Sequence, residues 1–85
     1  MGYTVLVHPA ADRDLESISP PERRRIIRRI ASLAVEPRPP GVKKLRAKPN
    51  RWSVRAGNYR VIYRIQDDAR VVLVIRIKHR REAYR

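Results

Sequence analysis

The chain has 85 residues, no cysteine, and 21 Lys/Arg against 8 Asp/Glu, for a formal net charge of +13. That length implies one domain, residues 1–85, with one modest core, and the missing thiols exclude a disulfide framework and a thiolate metal centre. Two histidines far apart and few acids argue against a zinc site or a cation cage, so neither metal nor cofactor is expected.

No apolar run approaches the roughly 18 residues of a membrane span, and the N-terminus lacks a charged-then-apolar leader. A membrane-free, cytoplasmic protein is the expectation. The charge is unevenly spread. Residues 1–36 hold six arginines against five acids, and residues 37–85 hold 15 Lys/Arg against three acids. A basic excess confined to the second half points to nucleic acid, an acidic protein partner, or both.

In chain order, Tyr3 to His8 reads as a short strand from its apolar and β-branched content. Pro9 ends it and suits the first turn of a helix. Ala11, Leu15 and Ile18 recur at helical spacing, which predicts a short amphipathic helix over 10–18. His8, at the end of the strand, reads as structural. Ser19-Pro20-Pro21-Glu22 is a second helix start, with Ser19 and Glu22 as a capping box.

The helix over 20–35 has an apolar stripe of Ile26, Ile27, Ile30, Leu33 and Ala34, expected to lie on the sheet. Arg24, Arg25, Arg28 and Arg29 point away and read as a solvated face. Glu36 to Gly41 carries three prolines and cannot continue a helix or join a ladder. Lys43 to Lys48 reads as a ragged edge strand.

Three strands follow, each to be read by alternate faces. Trp52 and Val54 share one face, with Arg51, Ser53 and Arg55 on the other. Ala56-Gly57-Asn58 is a turn. Tyr59, Val61, Tyr63 and Ile65 face the helices, leaving Arg60, Ile62 and Arg64 opposite. After a turn at Asp67-Asp68, strict alternation puts Val71, Leu73, Ile75 and Ile77 toward the helices, and Val72, Val74, Arg76 and Lys78 away. The fold class is α+β: an N-terminal strand, two helices on one face of a mainly antiparallel sheet of about four strands, and a short C-terminal tail. A meander would gather Arg55, Arg60, Arg64, Arg76 and Lys78 on one side. Ordinary solvated faces mix both charge signs, so this face reads as a groove for a polyanion.

These residues resemble a known family, the RelE side of the RelE/ParE toxin superfamily of type II toxin–antitoxin systems. The resemblance runs over nearly the whole chain. It is carried by the short first strand, the helix pair, the Lys44-Leu45 region, the run Tyr59-Arg60-Val61-Ile62-Tyr63, and the ending His79-Arg80 through Tyr84. It implies a RelE-like toxin that enters the ribosomal A site and cleaves messenger RNA. It also implies an acidic antitoxin that covers the basic surface.

By the same resemblance Arg60, Arg80, Tyr84 and Arg55 are the candidate catalytic residues. Arg51, Arg64, Arg76, Lys78, Lys44 and Arg81 are the candidate RNA contacts. A second lysine of the family aligns with Ser53, and the C-terminal helix of some relatives is missing or minimal. The alternatives are a ParE-like toxin that inhibits DNA gyrase by binding, and a non-catalytic nucleic-acid-binding module of the same fold.

Cleavage by an RNA's own 2′-hydroxyl needs that oxygen deprotonated, phosphorane charge stabilised, and the 5′ oxygen protonated. Arg60 and Arg55 suit the middle task, because guanidinium forks bind phosphate oxygens bidentately. Tyr84 is the candidate base or stacking residue, and Arg80 the phosphate clamp or proton donor. His79 has the more suitable intrinsic chemistry for proton transfer, but alternation turns it toward the covered side.

Overall fold

The computed structural model describes residues 2–82. Strand β1 (Thr4–Val7) is followed by helices α1 (Pro9–Glu16) and α2 (Pro20–Ser32). Strands β2 (Lys43–Lys44), β3 (Trp52–Ala56), β4 (Tyr59–Gln66) and β5 (Val71–His79) complete the order. The strands form one five-stranded sheet in the order β1-β5-β4-β3-β2. β2 through β5 make the expected antiparallel meander, and β1 joins as a parallel edge on β5. The edge segment is therefore a real fifth strand, two residues long.

Local chemistry explains the helix ends. His8 caps α1: its Nδ1 accepts a 3.0 Å hydrogen bond from the Ala10 N–H. It is structural, as the sequence implied. The capping box at α2 does not form. The Ser19 hydroxyl makes no bond to a backbone N–H and lies 3.4 Å from a Glu22 carboxylate oxygen. Pro20 and Pro21 have no N–H, and the hydroxyl turns to the Glu22 carboxylate instead of the one remaining N–H, that of Glu22. At its C-terminus α2 stops three residues short of the predicted end. Leu33, Ala34 and Val35 continue in tightened turns whose N–H groups donate three residues back. Pro37 disfavours helical backbone at the residue before it, which helps to end the run.

Both helices cover one face of the sheet. Ala11, Leu15, Ile26 and Leu33 meet Val54, Val61, Tyr63, Val72 and Val74 in a single core. Ile27, placed in the apolar stripe by spacing, is 48% exposed. Arg23 bridges the two helices. Its guanidinium donates to the carbonyls of Leu15 (2.9 Å) and Ile18 (2.8 Å), closing the C-terminal end of α1. The stiff connection is tied down from below, because the buried Tyr63 hydroxyl donates a 2.7 Å bond to the Pro37 carbonyl. Arg38 forks onto Asp67 at 2.9 and 3.1 Å and lies 4.9 Å from the Trp52 ring centre.

One correction concerns β5. Val72 and Val74 are fully buried against the helices, not on the far face. Arg76 pairs with Ile62 while Val74 pairs with Tyr63, so Ile75 has no partner and forms a bulge. An extra residue in one strand reverses the alternation on either side of it. Val71 and Leu73 therefore leave the helix face. Ile77, beyond the bulge, is on it as expected, and Arg76 and Lys78 stay opposite.

Candidate nucleic-acid interface

The face of the sheet turned from the helices carries a transverse row of three cations. Arg55 on β3 is the register partner of Arg60 on β4, and Arg60 is the partner of Lys78 on β5. Register partners lie about 4.5–5.5 Å apart at Cβ, and like charges so placed repel. The row has that cost built in, and an anion laid across it removes the cost.

The middle of the row is not the open guanidinium surface that alternation suggested. Arg60 is only 6% exposed. Its Nε donates a 2.6 Å hydrogen bond to Oγ of the fully buried Ser53, and Nη2 lies 3.3 Å from the Ser53 carbonyl. Ser53 thus spends its hydroxyl on aiming Arg60. Arg55 is exposed and donates through Nε to the Gly57 carbonyl (2.9 Å), which folds it against the hairpin turn.

Arg80 reaches the same end of the sheet. Its backbone N–H donates to the Asn58 carbonyl at 2.9 Å, pinning the turn after β5 against the β3–β4 hairpin. Its side chain is exposed. Tyr84 lies outside the described residues. Arg81 is exposed in the turn, its N–H 3.3 Å from Nδ1 of His79. His79 does face the helix side, in register with Tyr59 and edge-on to its ring at 5.5 Å.

The remaining predicted contacts are dispersed. Arg64 pairs with Leu73 and lies further along β4, exposed. Arg51 is half-buried just before β3. Arg76 is committed to Asp14 of α1, with bonds of 2.9 and 3.2 Å. The same carboxylate accepts from the Ile77 N–H at 2.9 Å. Burial alone would raise the pKa of Asp14, but the Arg76 and Ile77 hydrogen bonds outweigh it and hold the carboxyl below its ordinary value. Arg76 therefore fastens α1 to β5, where β1 has already ended.

Lys44 lies on the other face, with Nζ 5.6 Å from the Trp52 ring centre. Its neighbour Lys43 is the register partner of Ser53 and so shares the face of the cationic row. The sequence reading did not single out Lys43. A strand of two residues has no periodicity from which its facing can be read, and only the pairing decides it.

A family model described as "ParE toxin of type II toxin-antitoxin system, parDE" matches residues 5–84. Among curated proteins, Toxin RelG of Mycobacterium tuberculosis is 34% identical over 90 residues, covering 100% of this chain and 99% of its own. Putative toxin RelE1 of Methanocaldococcus jannaschii is 27% identical over 88 residues, covering 100% and 98%.

Two solved structures share the fold closely. One is the toxin-antitoxin complex RelBE2 from Mycobacterium tuberculosis, with a TM-score of 0.82 and 32% identity over 94% of this chain and 100% of that one. The other is an archaeal RelE-RelB complex from Pyrococcus horikoshii OT3, with a TM-score of 0.83 and 30% identity over 98% and 100%. The chain belongs to the RelE/ParE superfamily of toxins of type II toxin–antitoxin systems.

Proposed function

We propose that the chain is a ribosome-dependent messenger-RNA endonuclease, with the row Arg55–Arg60–Lys78 as its phosphate-binding floor. The observation that carries this reading is the row itself: three cations in register on adjacent strands. Like charges set in register repel, and a polyanion laid across them relieves that repulsion. Arg60, held at Nε by Ser53, is a preorganised donor for the charge that develops on the phosphorane. Arg80, pinned beside the hairpin, is the clamp or proton donor at the leaving oxygen. Tyr84 supplies the base or a stacking ring. The names RelG and RelE1 of the relatives support this reading.

The chain acts in the cytoplasm and pairs with an acidic antitoxin. That partner fits the +13 charge and the toxin–antitoxin complexes among the structural neighbours. Among the described residues no helix is long and apolar enough to cross a membrane.

A second reading has one observation in its favour. Arg60 is nearly buried, which suits a toxin that inhibits DNA gyrase by binding and needs no reactive guanidinium. Mapping messenger-RNA ends on translating ribosomes, with a gyrase supercoiling assay in parallel, separates the two. Cuts within A-site codons support the endonuclease. Inhibited supercoiling without cuts moves the binding toxin ahead.

A further inference from the structure

The helix side of the β3–β4 hairpin holds a second concentration of charge that the cleavage reading does not use. Arg25, Arg28 and Arg29 of α2 are spaced so that they share one helix face. With Arg55 they line a shallow groove whose remaining wall is Ser32, Ala56 and Gly57. Among the described residues no carboxylate lines it. Four guanidiniums without an acid among them depart from the mixed signs of an ordinary solvated face.

The local geometry is built to admit this crowding. Gly57 sits in the left-handed region at φ +64°, and a Cβ there would stand 3.1 Å from Nη1 of Arg25. Its absence lets the Arg25 guanidinium lie over the turn. Nε of Arg29 is buried with no acceptor among the described residues. Arg55 belongs to both places: it is the register partner of Arg60 and part of the groove wall. The basic surface thus continues from the cationic row, around the hairpin, to α2.

We propose that this groove is a second phosphate track, holding the backbone of the same single-stranded RNA that crosses the cationic row. The proposal rests on the reading that the row binds RNA. The wall favours RNA over an acidic peptide. Apart from arginine its lining is Ser32, Ala56 and Gly57, with no large apolar side chain to grip a peptide, whereas guanidinium forks match phosphate oxygens.

The test is fluorescence anisotropy of the purified chain with a 2′-O-methyl oligoribonucleotide, which cannot be cut through its 2′-oxygen, across a salt series. The variant Arg25→Gln/Arg28→Gln is expected to bind about tenfold more weakly. Its log-affinity against log-salt slope should be smaller by about 1.4, as expected for two lost contacts to a single strand. Arg13→Gln/Arg24→Gln removes the same charge from exposed sites outside the groove and should keep the parental slope. Both variants should melt cooperatively at the parental temperature.

Equal losses in the two variants would reduce the effect to net charge and overturn the groove. Parental binding by Arg25→Gln/Arg28→Gln would overturn it while leaving the row intact. Failure of the parental chain to bind the oligonucleotide would overturn the reading of the row and the groove with it. A polyglutamate peptide whose binding is lost in Arg25→Gln/Arg28→Gln, while RNA binding is kept, would assign the groove to a protein instead.

Discussion

Ser53 Oγ accepts a 2.6 Å hydrogen bond from Nε of Arg60, and both residues are almost wholly buried on the sheet face away from the helices. Arginine is never neutral in a protein, so a buried guanidinium is stable only where its donors are met. Ser53 meets two of them, Nε through its hydroxyl and Nη2 through its carbonyl, and the hydroxyl bond fixes the direction of the fork. Misplacement of a catalytic group by about 1 Å can cost about 100-fold. Ser53→Ala should therefore slow messenger-RNA cleavage by about 10- to 100-fold, and should add nothing further in an Arg60→Ala background, because the two act as a unit. The check is single-turnover cleavage on ribosomes for both single variants and the double. Independent, additive losses would mean that Ser53 acts by some route other than Arg60.

The candidate site makes a second, direct prediction. Arg60→Ala and Arg80→Ala should each reduce cleavage by about 10²–10³-fold, the range for removal of a preorganised donor. Tyr84→Phe keeps the ring and removes the hydroxyl. A large loss identifies proton transfer, while retained activity in Phe with loss in Ala identifies stacking. All variants must melt cooperatively. Parental rates in both arginine variants would remove the assigned site.

Tyr63 offers a stability test remote from that chemistry. Its ring is fully buried, and burial pushes its hydroxyl pKa up to about 12, so it stays a neutral donor to the Pro37 carbonyl. Tyr63→Phe leaves that carbonyl without its partner and should cost about 1–3 kcal/mol in urea unfolding. An unchanged midpoint would mean that the 37–41 segment does not depend on this bond.

The pH dependence follows from Asp67. The Arg38 fork and the Tyr3 hydroxyl hold its pKa at about 2, below the ordinary 3.8. The unfolded chain binds the proton first as pH falls. The contribution is therefore complete above about pH 4 and is lost as pH falls toward 2. It is modest, because the pair is exposed and screened. Asp67→Asn should flatten the melting-temperature curve between pH 4 and 2 and lower its plateau. An acid slope identical to the parent would show that Asp67 does not contribute.

Much of this protein is legible in its sequence because the physics involved is local. Pro9 and Pro20 open the two helices where a missing N–H costs nothing. Alternation along 52–56 and 59–65 assigns the right faces to Val54, Val61 and Tyr63, since a two-residue period needs no knowledge of the partner strand. The concentration of cations after residue 37 points to a polyanion, and the run from Tyr59 to Tyr63 to the family.

What tertiary structure alone decided lies where the outcome depends on pairing. The bulge at Ile75 is invisible in a run of β-branched residues, and it alone turns Val72 and Val74 inward. Lys43 rather than Lys44 joins the basic face because the register of a two-residue strand comes from its neighbour. Arg76 is spent on Asp14, a partner 62 positions away. Ser53, which by resemblance is only a missing lysine, becomes the acceptor for Arg60 because the β3–β4 register sets them diagonally on one face. A sequence specifies which side chains are available and their period along the chain. Which of them meet is settled when strands pair, because each hydrogen-bond register brings a different set of side chains together.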